Sequence, residues 1–225
     1  MPSFSAELVA RQPLSPRVDS LVLEAAEPFP RQAGQYVRLT LSEGSSHAFS
    51  VAAPFDQRAP GRFEIAVARG TTAGPVLDLQ LGDRVEVTGP SGALVWKAEA
   101  PALLVATGTG ISPLRAILLE QLAHSSSLPL TLLFGCRDAS EELWGVELRR
   151  LQAEHPRFRY LPTHSQPSGP ADRVGRVQAY LPEQARLLGP SLRVYLCGHT
   201  PMVNDCTALL LDRGVPAEHI HGESY

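Results

Sequence analysis

The sequence has few cysteines: Cys136, Cys197 and Cys206 among 225 residues. They are too few and wrongly spaced for a disulfide framework, a zinc knuckle or a plant-type iron–sulfur cluster, so reduced thiols are expected. Seven histidines are scattered without ligand spacing such as H-E-x-x-H, and no metal site is expected. No run approaches the ~18 apolar residues of a spanning helix. The N-terminus, MPSFSAELVARQPL, lacks the basic-then-apolar order of a secretory signal, which makes the cytoplasm the expected location. Neither sign of charge dominates: 20 basic and 23 acidic residues, well mixed, leave a net charge of −3. That excludes an electrostatic footprint for nucleic acid or an anionic membrane. There is no internal repeat and no low-complexity linker.

What is present centres on Ala102 to Glu120, ALLVATGTGISPLRAILLE. Leu103 to Ala106 is a short continuous apolar run, the pattern of a strand buried on both faces. Leu114, Ile117, Leu118 and Leu122 then recur at the spacing of one buried helix face. Between them lies Gly108-Thr109-Gly110-Ile111-Ser112-Pro113. Its glycines permit positive φ and close backbone approach, Ser112 suits an N-cap, and Pro113 suits the first helical position. A strand, a tight turn and a helix with free N–H groups at its start is an arrangement that attracts phosphate. Pro113 stands where the usual G-x-G-x-x-G fingerprint has its third glycine, so this is not the standard Rossmann pattern.

Upstream, alternation marks short strands: Val37, Leu39 and Leu41; Phe63, Ile65 and Val67; Val85 and Val87. Turn residues punctuate them at 28–34, 42–46, 56–61, 81–83 and 89–92. Residues 1–98 are thus expected to form an antiparallel β-barrel domain, with a short helix within 70–79. From residue 99 to 225 strand and helix alternate, the signature of a doubly wound parallel sheet. Strands are expected at 102–106, 130–134, 158–161 and 194–197. Helices are expected at 113–123, after an Asp138 cap and carrying Trp144, Leu148 and Leu151, and from Thr200 to Gly214. His219 to Tyr225 reads as a terminal segment.

A barrel followed by a parallel α/β domain with a GTGISP turn resembles the ferredoxin-NADP reductase superfamily. Four further stretches carry the likeness. His47-Ala48-Phe49-Ser50 resembles the Arg-x-Tyr-Ser flavin motif, and Gly70 through Gly92 resembles the second flavin stretch. Cys197-Gly198-His199-Thr200-Pro201-Met202 fits C-G-x-x-x-M, and Glu223-Ser224-Tyr225 resembles the Glu-x-aromatic terminus. The resemblance implies hydride transfer from NADH or NADPH to FAD, with FMN as a substitute, and onward electron transfer to an acceptor. It places Phe49 against the flavin ring and the Ser50 hydroxyl near N5. Tyr225 would cover the other face, Cys197 would lie beside the transferring carbon, and Glu223 with Ser50 would relay protons. Thr71 and Thr72, with the backbone of Gly70, Ala73 and Gly74, would take the flavin's phosphate side. Gly108, Thr109, Gly110, Ile111 and Ser112 would take the nucleotide pyrophosphate, with Gly198 and Met202 completing the pocket. Read by themselves, Phe49 suits barrel core, Cys197 a small buried residue, and Glu223 and Tyr225 an ordinary tail.

Two residues depart from the motif. His47 replaces an arginine whose permanent charge and five-donor fork would clamp flavin phosphate, and Phe49 removes a tyrosine hydroxyl. Both point to a loosely held, exchangeable flavin. The stretch expected at the adenosine end, Thr163 to Pro167, has no arginine, which favours NADH unless Arg137 or Arg173 substitutes. The acceptor would be free flavin or an external iron–sulfur or haem protein. The alternative from another class is a non-catalytic nucleotide-sensing module.

Overall fold

In a computed structural model, residues 2–97, 99–124 and 127–225 are described. The expected division between residues 98 and 99 falls on Ala98, outside the described residues. Two sheets account for the chain. The first is antiparallel and built from β1 (Ser3–Ser15), β2 (Val18–Ala25), β3 (Tyr36–Thr40), β4 (Ser46–Ser50), β5 (Arg62–Ala68) and β6 (Arg84–Ser91), in the order β4-β3-β6-β1-β2-β5. It is barrel-like but not closed: among the described residues an isolated bridge, Val51 to Ile65, is what joins its edges. The alternating residues face inward as their spacing requires, and Val37, Leu39, Phe63, Ile65, Val67 and Val87 are all essentially inaccessible. Phe63 meets Phe29 with ring centroids 5.3 Å apart, and Phe29 meets Phe4 at 4.8 Å.

The longest pairing, β1 with β2, was not marked by alternation. Register shifts at Leu8/Ala10 and Pro13/Ser15 interrupt its period, and Pro13 cannot donate to a ladder. A buried carboxylate fixes this hairpin: Asp19, 1% exposed, accepts from Arg11 and Arg69 at 2.6 to 2.8 Å.

The second sheet is wholly parallel, from β7 (Ala102–Thr107), β8 (Leu130–Cys136), β9 (Phe158–His164), β10 (Arg193–Gly198) and β11 (Ile220–Ser224), in the order β11-β10-β7-β8-β9. Helices α1 (Ile111–Ala123) and α2 (Gly145–Glu154) pack with Leu104, Leu132 and Tyr195 on one face. Helices α3 (Leu181–Leu188) and α4 (Thr200–Asp212) pack with Leu103, Val105 and Leu133 on the other. The chain moves outward through β8 and β9, then returns to place β10 on the opposite side of β7. The strand order therefore reverses between β7 and β10, where open α/β sheets form their ligand crevice. The two sheets share one apolar seam, in which Val18, Ala52, Ala66 and Leu94 join Ile111, Leu114 and Leu118.

Four local expectations are corrected. Helix α1 starts at Ile111, because a 3-10 turn over Gly108–Gly110 runs straight into it. Ser112 and Pro113 therefore lie inside its first turn, and Ser112 caps nothing. Asp138 caps the 3-10 turn Ala139–Glu141, accepting from the Ser140 amide at 3.0 Å; α2 begins only at Gly145. Trp144 is the residue before it, at φ +53, and is not on the helix face. The terminal segment is a strand, β11, and α3 went unmarked.

Phe63→Ala should destabilise the protein by ~3–5 kcal/mol, the usual consequence of emptying a fully buried aromatic site. Urea unfolding followed by circular dichroism reads this as a lower midpoint at unchanged slope.

Candidate active site at the sheet switch point

The residues that follow β7 and those that end β10 touch backbone to backbone. A Cβ built on Gly110 would fall against the Cys197 carbonyl and the Gly198 nitrogen, closer than any side chain is tolerated. Gly198, at φ +149, is pressed in the same way by the Thr107 hydroxyl and the Met202 methyl. This explains the spacing C-G-x-x-x-M: α4 returns Met202, 6% exposed, over the glycine that lets β10 turn away from Thr107. Gly108, at φ +54, completes the turn.

The parallel pairing of β10 with β11 sets Cys197 opposite Glu223 and Gly198 opposite Ser224. Burial, and then the nearby Glu223 carboxylate, push the Cys197 thiol up to about 12, so it stays protonated at neutral pH. Burial also raises Glu223 above the ordinary glutamate range. Tyr225 is anchored by its own backbone, donating to Gly198 O at 3.3 Å and accepting from the Thr200 amide at 3.3 Å. Its ring is exposed but its hydroxyl is not idle. It accepts from the Gly110 amide at 3.0 Å and from Thr109 Oγ1 at 3.3 Å, and donates to Thr107 O at 3.0 Å. The phenol thus sits on the glycine turn.

A cleft of about 580 Å³ opens between this turn and the first sheet. From the second sheet it is lined by Thr107 to Thr109, Arg137, Met202 and Tyr225; from the first, by Arg17, Arg69 and Thr71. Gly108, Thr109, Arg137, Met202, Tyr225 and Thr71 are therefore brought together. Cys197 and Gly198 lie just beneath, at the floor of the turn. Ser112, 2% exposed, has a hydroxyl with no hydrogen-bond partner, and Ile111 is buried in the seam.

The β4 residues are placed apart from that cleft. Phe49, 7% exposed, belongs to the barrel core with Val37 and Leu39, and Ala48 is exposed. Ser50 is half-buried at the end of β4 and does not line the cleft. His47 carries a buried Nε2 with no hydrogen-bond partner. Gly70 and Thr72 are exposed, Ala73 precedes a 3-10 turn over Gly74–Asp78, and Thr71 Oγ1 donates to Ala68 O at 3.0 Å.

The cleft also takes in residues outside the expected site, Arg17, Arg69 and Arg176 among them. Arg176 follows a bridge between His164 and Val174, and Ser165, in the stretch expected at the adenosine end, is tied to β8 by its amide to Cys136 O at 3.0 Å. With Gln166 N on Arg137 O at 2.7 Å, these bonds set Arg137 beside Ser165 at the outer end of the cleft. Nothing local in the sequence marks Arg176.

The donors fit a dinucleotide. A glycine turn whose Gly110 amide is offered to an acceptor oxygen, a helix start behind it and an unpartnered buried hydroxyl at Ser112 suit a pyrophosphate. The fit to flavin rests on less: an unpartnered His47 nitrogen along β4 and the Thr71 loop.

Fold and site together define a two-sheet pyridine-nucleotide reductase. Residues 104–208 match the family model described as the oxidoreductase NAD-binding domain. The chain is 36% identical to ferredoxin–NADP reductase B of Sorangium cellulosum, over 99% of this chain and 97% of that protein. It is 31% identical to the reductase component of phenol 2-monooxygenase from a Pseudomonas species, over 88% of this chain but 58% of that longer protein. The crystal structure of the Amycolatopsis reductase GcoB superposes with a TM-score of 0.91 at 29% identity, covering 99% of this chain and 69% of that one. The chain belongs to the ferredoxin–NADP reductase superfamily and is an oxidoreductase that moves electrons from NAD(P)H through flavin to an acceptor. No helix among the described residues is long and apolar enough to cross a membrane.

Tyr225→Phe should tighten nucleotide binding about two- to tenfold, because one hydrogen bond of ~1 kcal/mol no longer competes for the Gly110 amide. Calorimetric titration with NADP⁺ and NAD⁺ checks it.

Proposed function

We propose that the chain takes reducing equivalents from NADPH in preference to NADH and passes them, through FAD held along β4 and the Thr71 loop, to a separate iron–sulfur protein. The observation that carries this reading is the convergence of Gly108–Gly110, Cys197–Gly198 and Tyr225 at the switch point, facing the first sheet. The relative matched over its whole length is named for ferredoxin and NADP, which supports the choice of acceptor. Among the described residues no group of histidine, cysteine, aspartate or glutamate could hold a metal, so an iron–sulfur centre is not supplied from them. Bound flavin converts a two-electron donor to one-electron steps.

The chain's own residues have these roles. The Gly110 amide and the Ser112 hydroxyl hold pyrophosphate once the Tyr225 phenol withdraws. Cys197, a neutral thiol, packs beside the nicotinamide, and Glu223 exchanges a proton next to it. Ser50 orients the flavin from the end of β4. The expectation of NADH rested on a segment without arginine, Thr163 to Pro167. Arg137 and Arg176, both exposed in the cleft and without carboxylate partners, reach that place from other segments and support NADPH. The reading divides the chain into a flavin-binding unit, 1–98, and a nucleotide-binding unit, 99–225. Three unpaired cysteines favour a cytoplasmic setting.

A second reading, release of reduced free flavin, is favoured by His47 and Phe49: the first offers one nitrogen where the motif has a fork, and the second packs in the core. Purification, gel filtration and visible spectra separate the two, with NADPH oxidation assayed against ferredoxin and against free FAD. The yellow colour should be lost on the column and restored by FAD, and ferredoxin should be the faster acceptor. Stoichiometric flavin surviving dialysis overturns exchangeability. Turnover with free flavin alone overturns the ferredoxin reading.

Replacing Arg137 and Arg176 together by alanine should raise the KM for NADPH about tenfold or more while leaving that for NADH within about twofold, as two exposed, solvent-screened charge contacts of ~1 kcal/mol each are removed. Steady-state kinetics with both nucleotides decide it.

A further inference from the structure

We infer that Arg115 is a positioning residue that fixes the spacing between the β4 segment and the nucleotide turn, and thereby the rate of hydride transfer. It stands on α1, little more than one turn past Gly110, and its side chain is 9% exposed. The guanidinium reaches across the seam. Nη1 donates to the Ala52 carbonyl at 2.6 Å and to Glu64 Oε2 at 3.0 Å. Nε and Nη2 hold both oxygens of Glu147, on α2, at 2.6 and 2.9 Å. Its plane lies 4.7 Å from the Trp144 ring centroid, and Trp144 Nε1 donates to Glu64 Oε1 at 3.3 Å. Ser20 Oγ holds the same Glu64 oxygen at 2.6 Å.

One side chain therefore ties together β2, β5, the residues after β4, α1 and the entry to α2. Ala52 is two residues past Ser50, and its amide donates to Glu64 O at 2.8 Å. The helix that bears Arg115 carries the glycine turn at its start. Cohesion between the sheets does not need this cluster, since the apolar seam of Val18, Ala66, Leu114 and Leu118 already supplies it. Replacing a buried ion cluster by apolar packing is often neutral for stability. Apolar contact is non-directional, however, and tolerates sliding. A planar fork with fixed donor directions does not slide. What Arg115 adds is registration, and a misplacement of ~1 Å remote from the chemistry lowers a rate by ~100-fold.

The inference rests on the placement of flavin and nucleotide given above, and its test keeps the two apart. The flavin-loaded full chain is compared with Arg115→Lys and Glu147→Gln. The second keeps the barrel-side bonds and, with its carboxylate a quarter exposed, serves if the first does not fold. Stopped-flow reduction should show a limiting rate per bound flavin about ten- to a hundredfold lower, with nucleotide Kd within about twofold. In the flavin-free chain, amide hydrogen exchange should quicken together at 50–53 and at 110–112. A merely structural role would lower the melting temperature and leave the limiting rate within about twofold, which overturns the inference. A slower rate without the paired change in exchange overturns it as well. Gly110→Ala tests the site itself: nucleotide binding undiminished in that variant defeats the placement, and lost binding there with an unaltered rate in Arg115→Lys defeats only the role of Arg115.

Discussion

The contact on which the site depends is the one between two stretches of main chain, Gly108–Gly110 after β7 and Cys197–Gly198 at the end of β10. Strands on either side of a reversal in order splay apart at their carboxyl ends, and that gap is the crevice. Here the gap is bridged at its base by glycines so close that neither Gly110 nor Gly198 has room for a methyl group. The two turns are therefore one rigid object. The Gly110 amide at the start of α1 is left free by the main chain and is taken by the Tyr225 phenol.

That rigidity explains how a chain terminus becomes part of a site. β11 is an edge strand of five residues and would fray by itself. Parallel pairing with β10 fixes Glu223 against Cys197, and the Tyr225 backbone closes on Gly198 and Thr200. Once anchored, its phenol bonds what the turn offers, the Gly110 amide, the Thr107 carbonyl and the Thr109 hydroxyl. The same burial that makes the floor tight keeps the Cys197 thiol neutral, so in the proposed site it would contribute shape and polarisability and not nucleophilic attack.

Much of this was legible in the sequence where pattern and packing coincide. β7 is buried on both faces and reads as an unbroken apolar run; the barrel strands β3 and β6 are buried on one face and alternate. The GTG turn was legible because glycine is required there by close approach. The start of α1 was not, since Ser112 and Pro113 have the chemistry of a cap but the 3-10 turn before them already supplies helical backbone. Trp144 misled for a related reason. A large apolar residue at helical spacing reads as a buried face, yet here it is a left-handed residue whose indole serves a carboxylate and a guanidinium. Arg115, beside the apolar α1 pattern, carries no local mark of its role. It is buried because its partners, Glu64 and Ala52, are 51 and 63 positions away along the chain, a separation no local pattern carries. Arg176 is similarly hidden, brought to the cleft by the bridge at Val174.

The two halves of the proposed site are built to different tolerances, and the difference has a physical origin. The nucleotide half is defined by backbone, whose groups have no rotamers to lose and no conformational entropy left to surrender on binding. The β4 half depends on side chains: a histidine nitrogen without a partner, a serine hydroxyl at the strand end, a threonine already bonded to Ala68. An arginine at position 47 would have brought its own charge and fork, and so specified the ligand phosphate from the protein side. With histidine there, specification passes to whatever the ligand contributes, and affinity falls while geometry at the far end of the flavin need not. A firmly built donor pocket facing a loosely built acceptor pocket places the burden of alignment on the segment between them, which is where the buried Arg115 fork lies.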